Sequence, residues 1–64
     1  MNDNLYSFET YKGYSVVVEK LDTDEYEGVG YVHSYHNPEF VFKDDNPEWV
    51  RSNIMRLIDE KVED

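Results

Sequence analysis

The chain has 64 residues, no cysteine, and 15 Asp and Glu residues against six Lys and Arg residues, giving a formal net charge of −9. This length allows one small domain over residues 1–64, with too little interior for a fully enclosed catalytic cleft. The lack of cysteine excludes disulfides, thiolate metal sites and cysteine nucleophiles. The negative charge argues against direct binding to DNA or RNA phosphates.

The first predicted strand covers residues 5–11. Its side chains alternate, with Tyr6, Phe8 and Thr10 on one side of the strand. Lys12-Gly13 follows as a tight turn, because glycine adopts positive φ without steric cost.

A hairpin is predicted next. The three valines at 16–18 predict a strand over residues 14–21, because β-branched side chains fit a pleated sheet better than a helix. Residues 22–25 form a polar turn, and extended structure resumes over residues 26–35. We expect these two strands to pair in antiparallel fashion.

The later part of this segment contains two glycines and a further turn. Gly28 and Gly30 fall on the same face, which either lets a helix approach the backbone closely or marks a bulge. Asn37-Pro38 is a turn signal, and residues 39–43 form a short strand with both phenylalanines on one side.

The final segment changes to helical periodicity. Asn46 is typical of an N-cap and Pro47 of the first helical position, so a helix is predicted over residues 47–62. Its apolar stripe has the spacing of an amphipathic helix: Val50, Ile54, Leu57 and Ile58. The sequence predicts an α+β fold, an antiparallel β-meander of three to four strands with one C-terminal amphipathic helix packed on one face.

The excess negative charge is concentrated in two segments. Residues 19–27 carry −4 and residues 39–48 carry −3, together −7 of the −9. Either these segments are solvated turns, or they form an acidic surface that docks on a basic partner.

Acidic and aromatic side chains supply the candidate contacts for such a partner. Trp49 is either an anchor at the edge of the core or an exposed interface residue. The candidate partner-binding residues are Asp22, Asp24, Glu25, Glu27, Asp44, Asp45, Tyr31, Tyr35 and Trp49.

Some of these residues partly match known metal-site patterns. Asp22 and Asp24 have the spacing that opens a calcium loop, but Glu27 and His33 occupy the positions that need Gly and Glu. His33 and His36 would need a third ligand such as Glu39. We therefore predict no catalytic residues, no metal, no cofactor and no enzyme activity.

Membrane and export signals are not visible in the sequence. No apolar run approaches the ~18 residues of a membrane span, and residues 1–4 do not open a signal peptide. We expect a soluble, cytoplasmic protein without a membrane partner. Ten aromatic residues, 16% of the chain, indicate that it folds despite its charge.

Three segments followed by an acidic connection and a helix resemble the HicB-type antitoxin domain over about residues 11–60. They are Tyr11-Lys12-Gly13-Tyr14-Ser15-Val16-Val17-Val18-Glu19, Glu27-Gly28-Val29-Gly30-Tyr31-Val32 and Phe40-Val41-Phe42. The resemblance implies a partial ribonuclease-H-like fold and neutralisation of a small basic RNA-cleaving toxin.

The chain departs from that family at two places. Residues 35–38 replace its Pro-Gly stretch, and the sequence shows no counterpart of its following strand and DNA-binding C-terminal segment. We therefore do not expect it to regulate its own transcription.

The functional prediction is a small acidic inhibitor that occludes a basic, nucleic-acid-binding surface of a toxin nuclease or another effector. The alternatives are a phage-encoded inhibitor of host defence, such as an anti-CRISPR or anti-restriction nucleic-acid mimic, and a structural or accessory subunit without an inhibitory role. A thin core and open edge strands also predict self-association, most simply as a homodimer.

Overall fold

The computed structural model describes residues 4–32 and 38–63, which form one antiparallel sheet with a helix packed against it. The strands pair in the order β1-β2-β3-β4, as expected for a meander. The elements are β1 Leu5–Tyr11, β2 Tyr14–Lys20, β3 Tyr26–Tyr31, β4 Phe40–Asp44 and α1 Pro47–Val62. The predicted α+β meander with one C-terminal helix is confirmed.

Three strands differ from their predicted ranges. β2 ends at Lys20, because the next N–H, of Leu21, donates to the carbonyl of Glu25 (2.7 Å) and closes the following turn. β3 ends at Tyr31, and residues 33–35 of its predicted range lie outside the described residues. β4 is displaced by one residue from the predicted range 39–43.

The turn between β1 and β2 has two residues with positive φ. Lys12 has φ 51° and Gly13 has φ 86°, between the paired residues Tyr11 and Tyr14. A two-residue turn of this kind matches the right-handed twist of its strands. The predicted turn at Lys12-Gly13 is therefore present.

Tyr6 does not share a side with Phe8, contrary to the predicted alternation. The pairing with β2 shifts between Leu5 and Ser7, so that Tyr6 is an extra residue in β1. Its hydroxyl donates to the carboxylate of Glu48 at the start of α1 (2.6 Å), which places Tyr6 on the helix side of the sheet. A bulge of this kind re-aims one side chain without changing the rest of the strand.

The core lies between α1 and one face of the sheet. Five side chains there have no solvent exposure: Val16, Val18, Val50, Ile54 and Ile58. They come from alternate positions of β2 and from the predicted helical stripe, which confirms that the helix covers one face.

Gly28 and Gly30 lie directly beneath the helix. A Cβ at Gly28 would stand 2.5 Å from Cγ1 of Val50, and one at Gly30 would stand 3.3 Å from the ring of Phe40. Pairing between β2 and β3 is continuous through both positions. The glycines therefore permit close helix approach and do not mark a bulge.

The start of α1 is capped as predicted. The Asn46 side-chain oxygen accepts hydrogen bonds from the backbone N–H groups of Glu48 (3.0 Å) and Trp49 (3.2 Å), and Pro47 occupies the first helical position. These bonds satisfy helix-terminal donors that have no partner within the helix.

Replacing Gly28 by alanine should destabilise the fold, because the added methyl group has no space beneath Val50. Overpacking of this kind costs about 1–3 kcal/mol. Urea denaturation should show this loss for Gly28→Ala and a smaller one for Gly30→Ala, whose nearest contact is longer. Equal or greater stability of Gly28→Ala would contradict the close helix contact.

Candidate functional site

The two acidic segments meet at one end of the sheet. β3 begins at Tyr26, directly after the turn at 22–25, and Tyr26 pairs with Asp44 at the end of β4. We call residues 19–27 and 43–48 the acidic end. It contains eight acidic residues and two lysines, a net −6 of the chain's −9.

Glu39 belongs to the opposite end of the molecule, although it falls in the second acidic segment of the sequence. β4 separates it from Asp44 by its whole length. There the Glu39 carboxylate accepts a hydrogen bond from Nζ of Lys61 (2.8 Å) and lies 3.5 Å from the hydroxyl of Tyr14. We call this region, which includes the β1–β2 turn and the C-terminal turns of α1, the far end.

Carboxylates at the far end and along the helix are paired with cations. Lys12 Nζ lies 2.6 Å from Oδ1 of Asp59, and the hydroxyl of Tyr11 donates to the same carboxylate (2.9 Å). On the outer side of α1, Arg56 pairs with Glu60 at 2.8 Å.

Arg51 connects the second turn of the helix to β1. Its guanidinium makes a two-pronged contact with the Glu9 carboxylate, with Nη2 3.1 Å from Oε1. Glu9 stands among core-facing positions of β1, so this pair satisfies a charge at the edge of the apolar layer. The same contact raises the pKa of Arg51 above its ordinary value.

The acidic end contains the carboxylates that lack such partners. Within residues 4–32 and 38–63, four of its acidic side chains form no ion pair: Asp22, Glu25, Asp44 and Asp45. The two lysines there make only long contacts, Lys20 to Asp24 at 3.8 Å and Lys43 to Glu27 at 3.9 Å. The negative field at this end is therefore largely uncompensated.

Six predicted binding residues are brought together here: Asp22, Asp24, Glu25, Glu27, Asp44 and Asp45. Trp49 follows them in the first turn of α1 and is 51% exposed. Its exposure favours the interface interpretation over that of a core-edge anchor. Nearby, the hydrogen bond to Glu48 raises the pKa of the Tyr6 hydroxyl.

Tyr31 is not part of the acidic end. It is the last residue of β3 and pairs with Ser15, near the far end. Tyr35 falls in 33–37, outside the described residues, as do His33 and His36, which would need a third ligand to hold a metal. No group of three potential metal ligands occurs in the described part of the chain.

The sheet face opposite α1 carries an apolar row that the predicted site does not include. We call this face the open face, and its row is Phe8, Val17, Val29 and Val41. Phe8 is 54% exposed and Val41 is 52% exposed. In the sequence, the continuous apolar runs at 16–18 and 40–42 indicate this second apolar face, because such runs are typical of strands covered on both faces.

Comparison with known proteins gives no relative for this chain. No family model, no curated protein and no solved structure matches it. In the described ranges no pocket forms, and no helix there is long and apolar enough to cross a membrane.

The contact between Lys12 and Asp59 predicts a pH-dependent contribution to stability. The Lys12 ammonium, followed by the Tyr11 hydroxyl, holds the pKa of Asp59 below its ordinary 3.8. Because the folded pKa is the lower one, this stabilisation is present above the unfolded pKa and is lost as pH falls through the folded value.

NMR titration of the Asp59 carboxyl should therefore give a midpoint below 3.8 that rises in Lys12→Met. Arg56→Met is the control, because Arg56 pairs with Glu60 and should leave the Asp59 midpoint unchanged. An identical midpoint in wild type and Lys12→Met would refute the contact.

Proposed function

We propose that this chain is a protein-binding inhibitor whose acidic end occupies a basic, nucleic-acid-binding surface of another protein. The observation that carries this proposal is the distribution of ion pairs. The described cations all form salt bridges, yet four carboxylates of the acidic end remain without one. Charge that is not neutralised within the chain is available to a partner.

The chemistry of carboxylates suits such a partner. Surfaces that bind nucleic acids present Lys and Arg to phosphate oxygens, and Arg binds carboxylates with the same two-pronged geometry. Asp22, Glu25 and Asp45 are exposed at the acidic end. Their field would accelerate encounter with a basic surface and disfavour acidic partners.

An aromatic side chain next to these carboxylates would supply apolar contact. Trp49 is half exposed and follows Asp45 and Glu48 along the chain. Tryptophan is enriched among residues that contribute most to binding, whereas exposed charge pairs contribute less. We infer that Trp49 provides affinity and that the carboxylates provide selectivity.

The HicB-type resemblance favours a basic toxin nuclease in the cytoplasm as the partner. A phage-encoded inhibitor of host defence would use the same surface against a different nucleic-acid-binding protein. The two versions differ in the identity of the bound protein, which the following experiment determines.

Two triple variants of equal net charge distinguish the effect of the carboxylates at the acidic end from the effect of the net charge of the chain. Asp22→Asn, Glu25→Gln and Asp45→Asn reduce the charge of the acidic end from −6 to −3, and Glu39→Gln, Glu60→Gln and Glu63→Gln remove three exposed carboxylates elsewhere. Each immobilised chain is exposed to lysate of the encoding cell at low and moderate salt, and retained proteins are identified by mass spectrometry. The acidic-end variant should lose at least about tenfold in affinity, whereas the control should bind as wild type does.

The retained protein is then tested for nucleic-acid binding or cleavage, which wild-type chain should block in proportion to occupancy. The proposal fails if no basic protein is retained, if both triple variants bind equally, or if the bound protein keeps its nucleic-acid activity.

Trp49→Ala tests the apolar contribution separately. Truncating a central interface tryptophan typically costs about 2 kcal/mol or more, so affinity for the identified partner should fall while its salt dependence stays unchanged. Because Trp49 is half exposed, folding should be little affected, and the urea midpoint provides that check. Unchanged affinity would exclude Trp49 from the interface.

A further inference from the structure

Among residues 4–32 and 38–63, no element packs over the open face. Phe8, Val17, Val29 and Val41 are successive cross-strand partners, so their row crosses all four strands. With strands about 4.8 Å apart the row is about 14 Å long. A sheet that is apolar on both faces is normally covered on both, and α1 covers only one.

The rows on either side of this apolar row differ in charge. Towards the acidic end lie Leu5, Glu19, Glu27 and Lys43, which are cross-strand neighbours and of which three are charged. Towards the far end lie uncharged hydroxyl-bearing residues: Thr10, Ser15 and Tyr31. The open face is therefore charged on one side of its apolar centre only.

We propose that the open face packs against the open face of a second copy of this chain. The two copies are related by a twofold axis that runs along the apolar row, perpendicular to the strands. The apolar row of one copy then packs against the same row of the other copy, and Phe8 lies against Phe8 of the second copy. The charged row of each copy faces the hydroxyl row of the other, so no like charges oppose one another.

Charge selects this alignment over the other twofold arrangement. An axis along the strands would set Glu19 opposite Glu27 of the second copy and would bring the acidic ends side by side, about 10 Å apart. In the proposed alignment the acidic ends point in opposite directions. Val17 and Asp22 are five residues apart, so the separation is about 30 Å, well beyond the Debye length of ~8 Å in physiological salt.

The size of the open face predicts a weak dimer. Four strands of about six residues give a footprint of about 400 Å² per copy, below the ~800 Å² of a standard interface. Association should therefore depend on concentration. It should strengthen as salt rises, because salt screens repulsion between two chains that each carry −9. Docking of the acidic end on a basic protein should weaken under the same change, so the two proposals fail independently.

Sedimentation equilibrium over a wide concentration range, at low and high salt, measures the dimer directly. The mass should rise from one chain towards two, more readily at high salt. Val41→Lys should raise the dissociation constant roughly tenfold or more, because it buries a charge in the interface. Val62→Lys is the matched control, since Val62 is 49% exposed on α1 against 52% for Val41 and the charge change is the same.

A monomer under all conditions would overturn the proposal and would leave the open face to solvent or to another protein. Equal effects of the two lysine variants would also overturn it, because the dimer would then use another surface such as the edge of β1.

Spin labels report the alignment. The chain contains no cysteine, so Thr23→Cys provides one label at the exposed turn without changing the charge. Double electron–electron resonance should give about 30–40 Å between the labels of the two copies. A separation near 10 Å would show the side-by-side arrangement and would refute the proposed axis.

Discussion

The contact of α1 with the two glycines of β3 determines how the rest of the molecule is arranged. Val50 and Ile54 reach the sheet backbone because Gly28 and Gly30 have no side chains. The helix therefore lies close over β3 and brings its first turn to the acidic end and its last turns to the far end. It also covers only one face, and no other element in the described part of the chain packs over the open face.

The segregation of charge follows from this arrangement. α1 carries three of the six cations, and they pair with an acid of β1, with the acid that precedes β4 and with acids of the helix itself, as in Arg51 with Glu9 and Lys61 with Glu39. The meander meanwhile places the 22–25 turn beside the connection at 44–48, and the acidic end around them contains eight acids and only two lysines. Net charge alone does not describe this molecule, because its two ends differ in how far their carboxylates are compensated.

Periodicity and capping chemistry were sufficient to predict the helix, whose range of 47–62 is found unchanged. The valine run and the polar turn after it were sufficient to predict the β2–β3 hairpin. The side taken by Tyr6 was not predictable, because a bulge in β1 depends on pairing with β2 rather than on local sequence. Likewise, the position of Glu39 at the far end could be predicted only with the pairing register of β3 and β4, which the local sequence does not determine. The acidic residues could be identified from composition, but their proximity could not.

Charge asymmetry between the two ends is the central claim, and NMR can measure it with paramagnetic cosolutes. A cationic probe and a neutral probe of similar size would be compared by their relaxation enhancement of backbone amide protons. The cationic probe should show excess enhancement at residues 22–25 and 44–48 and little at residues 11–13 and 59–63, where Lys12 and Lys61 pair with acids. Equal excess at both ends would contradict the asymmetry, and with it the basis for an acidic docking surface.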